Sequence, residues 1–167
     1  FFNRIRDSLR QVEDDYDIVL IDCPPQLGYL TMAAVCASTS LLMTIITERV
    51  DLASASQFLT MASGVLEVLY SNGGIGAYDN FAYLLTRFDT AISTQQDLSE
   101  WLRQLLGDSV IKTPFVKSSA VSEAGLSQKT IFEVDLATTK NRKTYERALE
   151  SVMSFSNDIE KMIQSAW

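Results

Sequence analysis

Three short apolar runs, separated by segments of helical pattern, constrain the fold of this chain more than any other feature. They are residues 16–22, 40–47 and 81–86, and each is largely apolar rather than alternating with polar residues. Such runs are typical of a parallel sheet that is buried on both faces. The sequence therefore predicts an α/β fold, a parallel sheet covered by helices on both faces, with residues 1–167 forming a single domain.

Segments with helical spacing of apolar residues lie around these strands. Helices are predicted over residues 2–14, 29–38, 51–70, 94–106 and 141–164. Asp51 is the predicted N-cap of the third helix, and residues 71–76 are a predicted loop. We expect a short edge strand at 109–112 and an irregular segment with short helical pieces at 114–138. The predicted buried positions of the last helix are Leu149, Val152, Met153, Ile159 and Met162.

Composition excludes several classes of protein. The chain has no histidine, which rules out a histidine base and a zinc–histidine site. No stretch of 18 apolar residues is present, so a membrane span is not expected. Two cysteines without metal-ligand spacing favour a reducing compartment. The net charge is −7, yet residues 112–147 carry seven basic and four acidic residues. That segment is either a surface for phosphate backbones or a solvated helix face.

The stretch YDIVLIDCPP places an acid at the end of the first apolar run. Asp22 is followed by Cys23, Pro24 and Pro25, which predict a stiff turn over residues 23–28. A carboxylate at the end of a buried strand is well placed to accept hydrogen bonds from magnesium-bound waters. The alternative is that Asp22 only caps the turn.

The chain carries no phosphate loop. A Walker A loop requires G-x-x-x-x-G-K-[ST], and none of the seven glycines precedes a Lys-Ser or Lys-Thr pair. The glycine-rich stretch SNGGIGAY is therefore interpreted as a turn. We expect the chain to be the later part of a longer protein whose phosphate loop precedes Phe1.

Two more segments are candidates for ligand binding. In open α/β folds, ligands bind beyond the carboxyl ends of the strands, where Asp22, Thr47 and Arg87 are predicted to lie. A guanidinium at Arg87 can stack on a base or bind a phosphate, and the alternative is an ion pair with Asp89. Residues 113–135 form a long irregular stretch that either contacts a purine or DNA phosphates or is a plain connection.

Four stretches together resemble one family. YDIVLIDCPPQLGYLTMAAVCAST, LLTRFDT, KSSAVSEAGLSQKTIFEVD and KNRKTYERALESV look like the ParA family of partition ATPases, and most like the RepA partition proteins of RepABC-type plasmids. The resemblance implies a deviant Walker A P-loop NTPase fold, here without its N-terminal phosphate-loop unit. It also implies that the parent protein binds ATP and magnesium and forms a homodimer. The implied partners are non-specific DNA and a ParB/RepB-type centromere-binding protein, with no membrane. The implied location is cytoplasmic and nucleoid-associated.

The resemblance also assigns roles to residues of this chain. It implies that Asp22 is the Walker B acid, holding magnesium through water, and that residues 23–28, with Pro24 and Pro25, form the switch II turn. Thr86, Arg87 and Pro114 would lie near the adenine. The candidates for contact with DNA are Lys117, Lys129, Lys140, Arg142 and Lys143.

The family's phosphate loop and its switch I acid have no counterpart in this sequence. We therefore expect no catalytic residue within the chain and no ATP hydrolysis by the chain alone. One alternative is a DNA-binding or regulatory module that needs no phosphate loop. Another is a MinD-like membrane ATPase, which would need a basic amphipathic C-terminal helix, whereas the ending SNDIEKMIQSAW has little positive charge.

Overall fold

The computed structural model of the chain describes residues 3–24, 28–48, 78–135 and 141–165. It also describes Ser56, Gln57, Thr60, Ser63, Gly64, Glu67, Tyr70, Ser71 and Thr139. Contacts divide the chain into two compact units. The first is Phe1–Leu41 with Ser56–Asn80, and the second is Leu42–Ala55 with Phe81–Trp167. No helix within the described ranges is both long and apolar enough to cross a membrane.

The first unit contains two helices that the sequence predicts. Helix α1 is Arg4–Leu9, followed by a 3-10 helix over Arg10–Asp15, and helix α2 is Tyr29–Ala37. The Arg6 guanidinium donates to the Cys36 carbonyl oxygen at the end of α2. This bond ties the two helices together.

Cys36 and Tyr78 are both part of the interior of the first unit. Burial raises the pKa of the Cys36 thiol, while the nearby Arg6 charge lowers it. Burial also raises the pKa of Tyr78 to about 12, and its hydroxyl donates to the Val35 carbonyl oxygen at 3.0 Å. Cys36 is therefore a buried core residue in an environment that lowers the reactivity of its thiol.

The predicted strand at residues 16–22 is not formed. The described backbone from 16 to 24 belongs to no helix or strand, and Leu20 is 88% exposed, with Tyr16, Ile18 and Val19 also exposed. A strand needs a neighbour for its backbone hydrogen bonds, and no residue that the structure describes pairs with this one. Asp22 therefore follows an exposed extended segment rather than a buried strand.

A three-stranded, all-parallel sheet forms the centre of the observed α/β fold. Strand β1 is Ser40–Ile46, β2 is Asn80–Phe88 and β3 is Phe115–Val116, in the order β1-β2-β3. Between β1 and β2, the described positions within 56–70 are helical, as predicted, and Ser71, the first residue of the predicted loop, is helical too. Asp51 and residues 72–76 of the predicted loop lie outside the described residues.

Strand β2 is buried on both faces. The consecutive residues Ala82, Tyr83, Leu84 and Leu85 are all buried. Because successive side chains of a strand point to opposite faces, both faces of β2 must be covered. Strand β1 differs from the fully buried strand that was predicted: Ile45 is buried, whereas its neighbour Ile46 is 43% exposed. This strand is at an edge of the described sheet.

Three helices complete the second unit. Helix α3 is Ser93–Leu106, α4 is Ser119–Leu126 and α5 is Arg142–Gln164. The C-terminal half of α5 covers the sheet: its residues Phe155, Ile159 and Met162 pack against Ala82, Leu84 and Ile111. The last helix forms within one residue of its predicted bounds, but its predicted buried positions Leu149, Val152, Ile159 and Met162 are only partly buried, and Met153 is 58% exposed.

The N-terminal half of α5 packs against residues of the 114–138 segment, which was predicted to be irregular. Tyr145 and Ala148 pack against Ala120 of α4 and against Ile131, which begins a 3-10 helix over Ile131–Glu133. The Tyr145 hydroxyl donates to the Ile131 and Val134 carbonyl oxygens. Thus a single buried tyrosine fixes the backbone after α4.

The predicted short edge strand at 109–112 is not formed, and strand β3 lies a few residues further along the chain. Residues 109–112 contribute only one parallel bridge, between Val110 and Tyr83, and the strand itself is β3 at Phe115–Val116. Residues 109–112 and Phe115–Val116 are each too short to show an alternation of apolar and polar residues. Which of them becomes a strand is decided by its pairing with β2.

Replacing Leu102 by alanine tests the packing of α3. Leu102 is fully buried, whereas Leu105 on the same helix is 57% exposed. We expect Leu102→Ala to lower the free energy of unfolding by about 2–5 kcal/mol through lost burial and a cavity. Leu105→Ala, the matched control, should change it by about 0.5 kcal/mol or less. Urea unfolding curves measure both, and equal losses would contradict this packing.

Candidate functional site

A buried polar network joins the carboxyl ends of β1 and β2 to the start of α3. The Thr47 hydroxyl lies 3.1 Å from both the Thr86 carbonyl oxygen and Gln95 Oε1. The Thr86 hydroxyl donates to the Ile45 carbonyl oxygen at 3.2 Å, and Gln95 Oε1 accepts from the Asp89 amide at 2.7 Å. All three side chains are buried, so these bonds fix the edge of the sheet at its carboxyl end.

A bulge in β2 sets the direction of Arg87. Thr86 pairs with Phe115 and Phe88 pairs with Val116, so two steps along β2 match one step along β3. Arg87 is the extra residue, and its φ is +54°. For a residue with a Cβ this conformation costs on the order of 1–2 kcal/mol. Bulges of this kind re-aim a side chain, and they are frequent next to functional sites.

Glu48 forms ion pairs with two basic side chains, Arg87 of β2 and Lys117, which follows β3. Its carboxylate lies 3.0 Å from the Arg87 guanidinium and 2.6 Å from the Lys117 ammonium. The Arg87 and Lys117 side chains are 58% and 55% exposed, against 21% for Glu48. Pairs this exposed contribute about 0–1 kcal/mol each to stability. The two ion pairs therefore contribute little to stability. Their main effect is to place two positive charges and one negative charge together at the carboxyl end of the sheet.

Arg87 does not pair with Asp89, the alternative that the sequence left open. The Asp89 carboxylate instead accepts from the Ala91 amide at 3.0 Å, within the turn before α3. The guanidinium is directed to Glu48, the second residue after β1. Arg87 thus belongs to the carboxyl edge of the sheet, where Thr47 also lies.

The structure brings Pro114 close to the end of β2. The Pro114 carbonyl oxygen accepts from the Ser151 hydroxyl at 3.2 Å, and the Ser151 hydroxyl oxygen accepts from the Val116 amide. Since Phe115 pairs with Thr86, Pro114 and Thr86 lie on neighbouring strands of one sheet edge. The three residues that are expected near the adenine, Thr86, Arg87 and Pro114, therefore lie close together.

The predicted magnesium residue lies in the first unit. Asp22 and Pro24 are exposed, and Pro25 lies outside the described residues. Within the described part of the chain, no group of three or more Cys, Asp or Glu side chains is arranged to hold a metal. These residues do not form a magnesium site by themselves. A single carboxylate such as Asp22 fits only a water-mediated contact, and magnesium bound to substrate phosphates commonly uses one or two carboxylates.

The basic candidates occupy different environments. Lys117 and Lys143 line one cavity of the second unit. Arg142 is exposed and pairs with Glu146 at 2.7 Å, one helical turn away. Lys129 is exposed after α4, and Lys140 lies outside the described residues.

The sequence interpretation missed two residues of this edge, Glu48 and Gln95. Glu48 directly follows the predicted strand at 40–47, so the argument that singled out Asp22 applies equally to it. Gln95 occupies a position in the apolar stripe of α3 with Leu98 and Leu102, and a polar residue at such a position indicates a buried hydrogen bond. Ser151 in α5 carries a similar signal.

The positive φ of Arg87 gives a testable stability difference. Arg87→Gly and Arg87→Ala both remove the ion pair with Glu48, but only glycine adopts this backbone without strain. We expect the glycine variant to be more stable by about 0.5–1 kcal/mol in urea unfolding. At Glu100, an exposed position inside α3, the same pair should show the opposite order. An alanine variant at position 87 as stable as the glycine variant would exclude backbone strain.

Known proteins similar to this chain point to one family. A family profile described as an AAA domain matches residues 2–72. A protein named "Putative replication protein A" from Rhizobium rhizogenes is 40% identical over 167 residues, covering 100% of this chain and 41% of the relative.

More distant relatives extend the comparison. Protein SopA of Escherichia coli (strain K12) is 26% identical over 166 residues, which cover 98% of this chain and 42% of SopA. The chromosome-partitioning ATPase Soj of Treponema pallidum (strain Nichols) is 27% identical over 153 residues, covering 90% of this chain and 57% of Soj. The chain spans less than half the length of the first two of these relatives. Together with the α/β fold, these matches show that the chain is similar to members of the ParA family along less than two thirds of their length.

Proposed function

We propose that this chain acts in DNA partition, as part of an ATP-dependent protein of the ParA type. The observation that carries the proposal is the carboxyl edge of the sheet, where Glu48, Arg87 and Lys117 meet at the ends of three parallel strands. Ligands of open α/β sheets bind at this edge. The similarity to the ParA family supports a nucleotide as the ligand, and the printed name of the Treponema relative supports partition as the process.

Under this proposal, the residues of the edge position the nucleotide. Thr86, Arg87 and Pro114 lie beside the adenine, and the buried network of Thr47 and Gln95 keeps the strand ends fixed. Pro24 and Pro25 stiffen the turn that follows Asp22, whose carboxylate accepts hydrogen bonds from metal-bound water. When bound, magnesium supplies positive charge that offsets the charge developing on the phosphates. Catalysis of this kind depends on positioning and electrostatics.

The basic residues of the second unit supply the contact with DNA. Lys117, Lys129, Arg142 and Lys143 are exposed, and Lys140 lies in the same basic part of the sequence. Non-specific binding to a phosphate backbone needs such charges and no base contacts. The proposal includes a homodimer, a ParB/RepB-type partner, and a location on the nucleoid in the cytoplasm.

A DNA-binding or regulatory module that uses no nucleotide is the second candidate. Exposed Arg142 and Lys143 at the start of α5, with Lys140 just before them in the sequence, favour this candidate, because binding through them requires no phosphate loop. The two candidates differ in one property: the first predicts DNA binding that depends on ATP, and the second predicts binding that does not.

Substituting Asp22 tests the nucleotide part of the proposal. We expect the isolated 167-residue chain to hydrolyse no ATP, and the complete gene product to hydrolyse it with magnesium. In the complete product, Asp22→Asn should lower turnover by more than about tenfold, because one acceptor for metal-bound water is lost. Asp17→Asn, an exposed acid in the same segment, is the control. Turnover by the isolated chain, or no effect of Asp22→Asn, would refute this part.

Reversing three charges tests the DNA part. The variant with Lys140→Glu, Arg142→Glu and Lys143→Glu should lose binding to a duplex of arbitrary sequence, measured by fluorescence anisotropy with and without ATP. The salt dependence of the remaining affinity should also become shallower, because fewer counterions are released. Wild-type affinity in this variant would show that the patch does not contact DNA, and ATP-independent binding by the wild type would favour the second candidate.

A further inference from the structure

A cavity of about 220 Å³ lies between the segment that follows β3 and the first two turns of α5. Its polar lining consists of Lys117 and Ser118 on one side and Lys143, Thr144 and Arg147 on the other. It belongs entirely to the second unit. None of these lining residues is acidic, so three cationic side chains and two hydroxyls surround the cavity.

Two helices begin at this cavity, which adds to its positive potential. Ser118 is the N-cap of α4, and its hydroxyl oxygen accepts from the Ala120 amide at 3.2 Å. Asn141 is the N-cap of α5, and its side-chain oxygen accepts from the Thr144 amide at 3.3 Å. The N-terminal ends of helices carry partial positive charge and favour anions.

Only one of the three cations that line the cavity has a carboxylate partner among the described residues. Lys117 pairs with Glu48, whereas Arg147 lies 3.4 Å from the Thr90 hydroxyl and Lys143 forms no ion pair within the described ranges. The cavity therefore has an excess of positive charge. Glu48 does not line the cavity, but its carboxylate is linked to it by the ion pair with Lys117.

We propose that this cavity binds a phosphate group and that Glu48 competes with the phosphate for Lys117. Pockets for whole drug-sized molecules occupy roughly 300–1,000 Å³, so this smaller volume suits a single phosphate rather than a complete nucleotide. The phosphate comes either from a DNA backbone or from a free anion, and both present the same oxygens to Arg147 and Lys143. In its DNA form the inference rests on the proposed function, to which it adds Arg147, the two hydroxyls and the competing role of Glu48.

The competition follows from geometry. An ammonium at 2.6 Å from a carboxylate has part of its charge neutralised before any ligand arrives. The same carboxylate holds Arg87, so releasing Lys117 leaves Glu48 with a cation partner and no buried, unpaired charge. Phosphate binding at the cavity and ion pairing at the strand edge are thus alternatives for one lysine.

The test uses the complete gene product and two probes. Inorganic phosphate is titrated by calorimetry, and a 20-base-pair duplex is titrated by fluorescence anisotropy at several salt concentrations. The variants are Arg147→Gln, Lys143→Gln and Glu48→Gln. The matched control is Lys161→Gln, a cation on the same helix about 21 Å further along its axis. Circular dichroism melting checks that each variant is folded. If Arg147→Gln does not fold, Lys143→Gln, at an exposed position, still tests the cavity.

We expect Arg147→Gln and Lys143→Gln each to weaken phosphate binding by about fivefold, and Glu48→Gln to strengthen it by about threefold. Lys161→Gln should leave it unchanged. If the phosphate belongs to DNA, the duplex affinity changes in the same order, and the salt slope falls by about one for each lost cation. If only inorganic phosphate responds, the cavity takes a free anion.

The inference is overturned if Arg147→Gln and Lys143→Gln, both folded, bind the two probes as the wild type does. The role of Glu48 is overturned if Glu48→Gln binds no more tightly. A protein that binds no duplex at all refutes the DNA part of the proposed function, while the phosphate titration still decides the cavity. The two failures are therefore distinguishable.

Discussion

The central position of β2 is the constraint on which the second unit depends. Both of its faces are buried, and both of its edges are paired, with β1 on one side and β3 on the other. A strand in this position leaves no freedom in the register of its neighbours, because a shift of one residue would move apolar side chains to the wrong face. The carboxyl ends of β1 and β3 are consequently fixed relative to β2, and the residues that follow them are brought to the same edge.

The irregular pairing between β2 and β3 lies next to the residues that form ion pairs with Glu48. Arg87 is the extra residue of the bulge, and the ladder resumes at Phe88 on the other side of it. Without this residue, the side chain at the end of β2 would follow the alternation of the strand. With it, the guanidinium meets a carboxylate that follows β1. A locally unfavourable backbone is retained because a well-packed strand holds it on both sides.

The sequence was a good guide to helices and a weaker guide to strands. Helices α2, α3 and α5 lie within a few residues of their predicted bounds, because the signals that predict them are local: an apolar, alanine-rich stretch for α2 and an amphipathic stripe for α3 and α5. The predicted strand at 16–22 failed because an apolar run becomes a strand only when another strand pairs with it. The pairing of Glu48 with Lys117 could not be predicted, since it depends on the register of a sheet. Gln95 was predictable in principle, as a polar residue within an apolar stripe.

Helix α5 extends over 23 residues, or about 35 Å. Lys143 and Arg147 in its first turns line the basic cavity, and Ile159 and Met162 near its end are packed on the sheet. The helix contains no proline, the residue at which sharp kinks most often occur. Its contacts with the sheet near one end and the packing of Tyr145 near the other therefore anchor both ends, so the backbone that carries Lys143 and Arg147 is fastened to the same interior as the sheet.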